Sequence, residues 1–285
     1  MANIRLIKRR IRSIQNTAKI TKAMEMIAAS KMRRAQQHVL AGRPYASEIR
    51  EMLSHLSVQP QSEDAQLHPL LKQRDEIKRI AVVHITPDRG LCGGMDANIN
   101  RLTGGFVLEQ SVPVSIVAVG RKGRDFMSRY KRDIRAEFTH LPDQIGLMDA
   151  LPISHIVITD YTSGYVDKVM LAYTQFVTTV TQRPVIQQLL PVEPAKREVT
   201  RNVEYIFEPT TAEVLEHLLP RFVEMQIYHA MLESIASEQS ARMVAMRNAT
   251  DNANEMTKEL TLVFNKARQE MITTELLDIA GGSQA

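Results

Sequence analysis

The sequence predicts an α/β protein with a long antiparallel coiled coil. One helix at each chain end forms the coil, and an α/β domain is inserted between them. Three observations predict this. Apolar residues recur at steps of three and four near both termini, residues 221–280 hold neither Pro nor Gly, and strand-like runs alternate with helical pieces in between. The chain of 285 residues divides accordingly into 1–58, 59–208 and 209–285.

In the first segment the stripe runs Ile4, Ile7, Ile11, Ile14, Ala18, Thr21, Glu25, Ala28, Met32, Ala35, Val39 and on to Leu53 and Leu56. A 3.5-residue repeat held this long marks a helix lying along another helix in a left-handed supercoil. Pro44 removes a backbone donor and is expected to kink this helix rather than end it. The last segment repeats the spacing from Leu218 and Phe222 through Leu232, Ala236, Met246 and Ala253 to Phe264, Ala267 and Met271. Sixty helical residues would reach about 90 Å. The Met, Ala and Ile stripes are expected to be buried seams. The polar seam residues Thr21, Glu25, Gln239, Thr250 and Thr257 either fix register or are small polar groups merely tolerated there.

Between the helices, a polar stretch from Gln59 to Arg79 leads into the strand-like runs RIAVVHIT, VSIVAVG and VIQQLLPV. MDANINRLTGGFVLEQ and GRKGRDFMSRY separate them as helical or turn-rich pieces, so a small domain with a largely parallel sheet is expected. SHIVITDYTSG stays open. It has the local texture of a strand, yet Asp149 could cap a helix with its body at 150–162.

Composition narrows the function. The apolar share of 44% supports a real core, and no apolar run approaches the roughly 18 residues of a membrane-spanning helix. MANIRLIKRRIRS has no apolar core of the signal-peptide kind and is expected to be mature protein. The net charge of +4 hides an asymmetry: residues 1–50 carry twelve Lys and Arg against two acids, and residues 210–285 carry six against eleven. The basic end suits its acidic counterpart or an acidic partner, protein rather than nucleic acid, since no aromatic precedes Tyr45.

No catalytic residue, cofactor or metal site is expected. Gly90, Gly93 and Gly94 give G-x-x-G-G rather than the dinucleotide spacing, and Gly120 and Arg121 stand where a ribose-binding acid belongs. Cys92 is the only cysteine and has no base and orienting partner marked beside it; His84 lies inside a strand run. A buried thiol in a tight strand-to-helix corner, built from Asp88, Arg89, Gly90, Cys92, Gly93 and Gly94, is the expectation. The eight histidines lack metal-ligand spacing.

Beyond these local readings, NIRLIKRRIRSIQNTAKITKAMEMIAASKMRRAQ resembles the N-terminal helix of the gamma subunits of F-type ATP synthases. DRGLCGG resembles that family's loop after its first strand, and SEQSARMVAMRNATDNANEM with NKARQEMITTELLDIAGG resembles its C-terminal helix. The resemblance spans essentially the whole chain. It implies a non-catalytic rotor shaft inside a ring of three alpha and three beta subunits, with a Rossmann-like foot domain beside the epsilon subunit and the c-ring. It further implies membrane association only through that ring, at the cytoplasmic face of a bacterial membrane, and coupling of proton flow to ATP synthesis or hydrolysis.

Residue by residue, Lys19 and Met24 match the helix face turned to acidic beta-subunit loops. Arg268 and Gln269 match a contact with another beta-subunit loop, and residues 271–285 match a tip turning in an apolar sleeve. The resemblance favours a helix for SHIVITDYTSG and a strand for DKVMLAYTQF. Two departures stand out: Pro220 lies early in the C-terminal helix, and the inserted cysteine pair of chloroplast-type members is absent. Pairing the helices from Leu56 against Leu215 at equal rise exhausts the N-terminal helix opposite about residue 267.

Overall fold

The structure, a computed structural model, describes residues 4–58, 68–142, 144–192 and 211–282. The elements are α1 (Ile4–Val58), β1 (Ile80–Ile85), α2 (Met95–Glu109), β2 (Val114–Val119), α3 (Arg121–Arg129), β3 (Asp133–Phe138), α4 (Leu147–Thr162), β4 (Lys168–Phe176), β5 (Gln182–Leu190) and α5 (Thr211–Gly282). They form two compact units, residues 1–29 with 242–285, and residues 30–241.

The first unit is an antiparallel helix pair. Ile7, Ala18, Thr21 and Ala28 of α1 are buried, as are Met246, Thr250 and Ala253 of α5, at the spacing the heptads predict. The hydroxyls of Thr21 and Thr250 meet across the seam at 2.7 Å, and each also reaches a carbonyl of its own helix, Ala18 O and Met246 O. Glu25 lies 4.0 Å from Arg247 and 3.0 Å from Lys22, so a polar layer sits within the apolar stripe. With Thr21 abreast of Thr250, equal rise places Ile4 abreast of residue 267. The side chains of residues 268–277 are all exposed, as a helix without a partner requires.

The second unit contains a five-stranded sheet in the order β3-β2-β1-β4-β5. β1 pairs parallel with β2 and β4, β2 pairs parallel with β3, and β5 closes the far edge antiparallel to β4. Central β1 is buried along its whole length because helices cover both sheet faces. Its alternate residues separate two cores. Ala81, Val83 and Ile85 pack with α4 and with Leu219, Val223, Ile227 and Met231 of α5, while Ile80 and Val82 pack with Ile99, Val107 and Met127 of α2 and α3.

Several local readings are settled here. SHIVITDYTSG belongs to helix α4, not to a strand. Its buried residues Ala150, Ile153, Val157 and Tyr161 recur every three to four positions, one side of a helix on the sheet. Asp149 is not the cap. Gly146 occupies that place, and the Asp149 carboxylate reaches back to accept its N–H at 2.8 Å. DKVMLAYTQF supplies β4. The edge strand β3, DIRAEF, has no counterpart among the predicted runs, because its charged residues alternate with Ile134, Ala136 and Phe138 and leave no continuous apolar run. α5 continues through Pro220, and α1 continues past Pro44. Residues 59–67, part of the polar stretch ahead of the domain, lie outside the described residues.

Candidate functional site

The glycine loop follows β1 and leads into α2. Gly94 precedes the first helical residue and its carbonyl accepts the Asn98 N–H at 2.9 Å, while Cys92 is buried beneath the corner. Of the three loop glycines only Gly93 has a backbone that favours glycine, at φ 63°. Leu91, with φ 65° and an exposed side chain, adopts the same left-handed conformation despite its Cβ.

The tighter steric demands lie in GRKG, at the turn from β2 into α3. Gly120 has φ 96°, and a Cβ there would overlap the carbonyl oxygen of Thr86. A Cβ on Gly123 would stand 2.6 Å from the His84 ring and 2.8 Å from the Thr86 side chain. The Thr86 hydroxyl accepts the Gly123 N–H at 2.8 Å and is 3.1 Å from the Val119 carbonyl, pinning α3 to the end of β1. Spacing rules for nucleotide loops gave no reason to single out this close approach.

The strand order reverses beside β1, and in open α/β sheets ligands bind outside the carboxyl ends of strands at such a point. Here the chain's own groups occupy the place. The Asp88 carboxylate sits at the start of α3, accepting the N–H groups of Arg121 at 2.8 Å and Leu141 at 3.2 Å, and the Arg121 guanidinium returns to the Asp88 carbonyl. A carboxylate thus fills the position where a helix N-terminus would attract a phosphate. Residues 231–239 of α5 close over the rest, leaving a cavity of about 200 Å³ lined also by Thr86, Arg89 and His140. That is below the roughly 300 Å³ at which ligand clefts begin.

His84 is buried among its own partners rather than poised over Cys92. Its Nε2 lies 2.8 Å from Asn100 Oδ1, an acceptor, so Nε2 carries the proton and Nδ1 accepts from the Thr103 hydroxyl at 3.1 Å. Burial lowers its pKa from 6.5 to about 4, which the bond to Asn100 only partly opposes. Asn100 and Thr103 lie one turn apart on α2, and the sequence gives no sign that they serve β1. Among the described residues no group of three or more His, Cys, Asp and Glu could hold a metal ion.

The remaining candidates lie on the helix pair. Lys19 is exposed and lines a shallow groove with Lys22 and Met26 of α1 and Thr250, Asp251 and Asn254 of α5. Met24 is half-buried and stands outside that groove; five residues amount to about 140° around a helix, so the two side chains face different directions. Arg268 and Gln269 are exposed at the start of the stretch where α5 has lost its partner helix.

A family model described as ATP synthase matches residues 3–285. The ATP synthase gamma chain of Dehalococcoides mccartyi is 64% identical over 285 residues, which cover 100% of this chain and 99% of that one. The chain belongs to the family of F-type ATP synthase gamma subunits, the central-stalk rotors. The gamma fold also has solved counterparts. A chain from the central stalk and c-ring of Tetrahymena thermophila mitochondrial ATP synthase is 27% identical, with a TM-score of 0.62 over 81% of this chain and 99% of that chain. A chain of Euglena gracilis mitochondrial ATP synthase, 20% identical with a TM-score of 0.68 over 99% of this chain and 94% of that one, shares the fold. Among the described residues of this gamma-family chain, no helix is long and apolar enough to cross a membrane.

Proposed function

We propose that the chain turns inside a ring of three alpha and three beta subunits and couples proton flow through a c-ring to ATP synthesis or hydrolysis at beta-subunit sites, without catalysing the reaction itself. The observation that carries this reading is the helix pair: a two-helix stem continues into exposed single helix from residue 268. Such a rod presents a different side to each surrounding subunit. One rotor angle therefore favours one nucleotide-site conformation at a time, because differential contact shifts a conformational equilibrium.

On this reading Lys19 and Met24 meet acidic beta-subunit loops from two sides of α1, and Arg268 and Gln269 engage a further loop. Residues 271–285 turn in an apolar sleeve, in keeping with the exposed Met271, Ile272, Leu276 and Leu277. The domain of 59–208 is the foot, beside the epsilon subunit and the c-ring. Through that ring alone it is held at the cytoplasmic face of a bacterial membrane. Asp88, Arg89, Gly90, Cys92, Gly93 and Gly94 build the foot's corner and carry no chemistry.

Co-expression with alpha and beta subunits tests the reading: one copy per ring is expected. A hydrolytic ring that assembles equally well without this chain would overturn it. Met24→Lys adds charge to an already basic helix and is expected to lower protons pumped per ATP more than it lowers assembly. Normal pumping per ATP in that variant would remove Met24 from the contact.

A further inference from the structure

Apolar packing of Leu219, Val223, Ile227 and Met231 against the sheet fixes which side of α5 faces it, but only to the width of that buried stripe. Hydrogen bonds hold the angle more narrowly, because they fail when misaligned. Two of them join α5 to the β4–β5 hairpin. Ser237 Oγ donates to the Thr174 carbonyl at 3.1 Å, and Ser240 Oγ, one turn on, donates to the Thr179 carbonyl at 2.6 Å. Both serines are fully buried.

The hairpin is built to hold these acceptors still. Thr174 lies opposite Pro184, which has no N–H to offer its carbonyl. In the turn, the Val177 and Thr178 N–H groups bond the Thr181 carbonyl, Thr178 Oγ1 accepts the Thr181 N–H, and the Gln182 amide reaches the Thr179 carbonyl. Ser240 is also the next-to-last residue of α5 within this compact unit, which ends at Ala241. Twist carried along α5 reaches this pair of bonds before it reaches the apolar contacts at Met231, Ile227 and Val223.

We infer that Ser237 and Ser240 are positioning residues that lock α5 at a fixed rotational angle to the sheet, so that torque passes between helix and α/β domain through the β4–β5 hairpin. The inference rests on the rotor reading and adds the place where the rotor is keyed.

The test uses the whole ATP synthase complex in vesicles, comparing wild type with the Ser237→Ala/Ser240→Ala double variant and with Ser234→Ala, which removes a hydroxyl from the same side of α5 one turn earlier. ATP hydrolysis and pumping at low proton gradient are expected to be unchanged in all three. Pumping against a high gradient is expected to fall about threefold in the double variant, since two buried hydrogen bonds no longer oppose slippage, and to stay at the wild-type level in Ser234→Ala. A merely structural role would lower the melting temperature and leave the dependence on load unchanged. The same load curve in an assembled double variant overturns the inference. Should that variant not assemble, the single variants Ser237→Ala and Ser240→Ala are compared, and load curves equal to wild type in both overturn it. Failure of the rotor reading would look different: the wild-type complex would not pump at all.

Discussion

One helix, α5, crosses two environments. From Leu219 to Ser240 it is buried on two sides: Leu232, Ala236 and Gln239 continue the heptad stripe, while Leu219, Val223, Ile227, Ala230 and Met231 face the sheet core and Ser234, Ser237 and Ser240 extend that second side. From Arg242 onward only the heptad stripe is buried, and beyond residue 267 no side chain with a described exposure is. The amino-acid types scarcely change along the way, since Leu276, Leu277 and Ile279 are as apolar as Leu219 and Ile227 yet stand exposed. Hydrophobicity marks where a helix is prepared to be covered. What covers it is a separate question, answered by the sheet for the first half and, on the rotor reading, by other subunits for the last turns.

The largest expected effect breaks that comparison at its strongest point. Ile227→Ala removes a fully buried side chain and is expected to cost about 2–5 kcal/mol of stability in denaturant unfolding, whereas Leu276→Ala on the same helix is expected to stay within about 0.5 kcal/mol. Equal losses would mean that the two halves are not differently packed.

Next comes acid. The folded chain keeps His84 neutral down to about pH 4, while the unfolded chain takes up the proton near 6.5, so the associated stability is complete above pH 6.5 and is lost as pH falls toward 4. The loss is expected to be on the order of 3 kcal/mol, and to be seen by segment-resolved hydrogen exchange in the sheet before residues 4–29 and 242–267. A ring proton signal of His84 titrating near 6.5 would contradict it.

The polar layer gives a smaller effect. Thr250→Val is expected to cost about 1 kcal/mol, and a cycle with Thr21→Val should show the two hydroxyls coupled. Additive losses would make them tolerated passengers. The smallest change is Arg268→Ala, expected to alter stability by less than about 0.5 kcal/mol, because its side chain is exposed. Any effect it has should appear only in the assembled complex.

Much of this fold was legible in the residues. The stripe from Ile7 to Val39 is where burial falls, and β1 and β2 lie on the two apolar runs that announced them. β3 was passed over although DIRAEF alternates charged and apolar residues, because its three apolar positions, Ile134, Ala136 and Phe138, form no continuous apolar run of the kind that marked β1 and β2. α4 stayed ambiguous because Ile156, Val157, Ile158 and Thr159 are β-formers, and packing on the sheet overrides that local preference. In the glycine corner, DRGLCGG drew attention by composition, whereas Gly120 and Gly123 carry the steric demand. That demand exists only once Thr86 and His84 lie against them, on a strand more than thirty residues earlier in the chain.

The sequence alone determined the two long helices and the stripe each one buries, because a repeat of 3.5 residues is a local property that adds along a chain; slips of seven residues satisfy that repeat equally, so the register, and with it the point near residue 267 where one helix outlasts the other, is set by the contact of Thr21 with Thr250. Tertiary structure alone decided that α5 has a second buried side, that Asp88 fills the anion position at α3, and that Ser237 and Ser240 bond a hairpin more than sixty residues away in sequence. Each of these depends on which distant backbone groups are brought within hydrogen-bonding distance, and no periodicity along the chain encodes that.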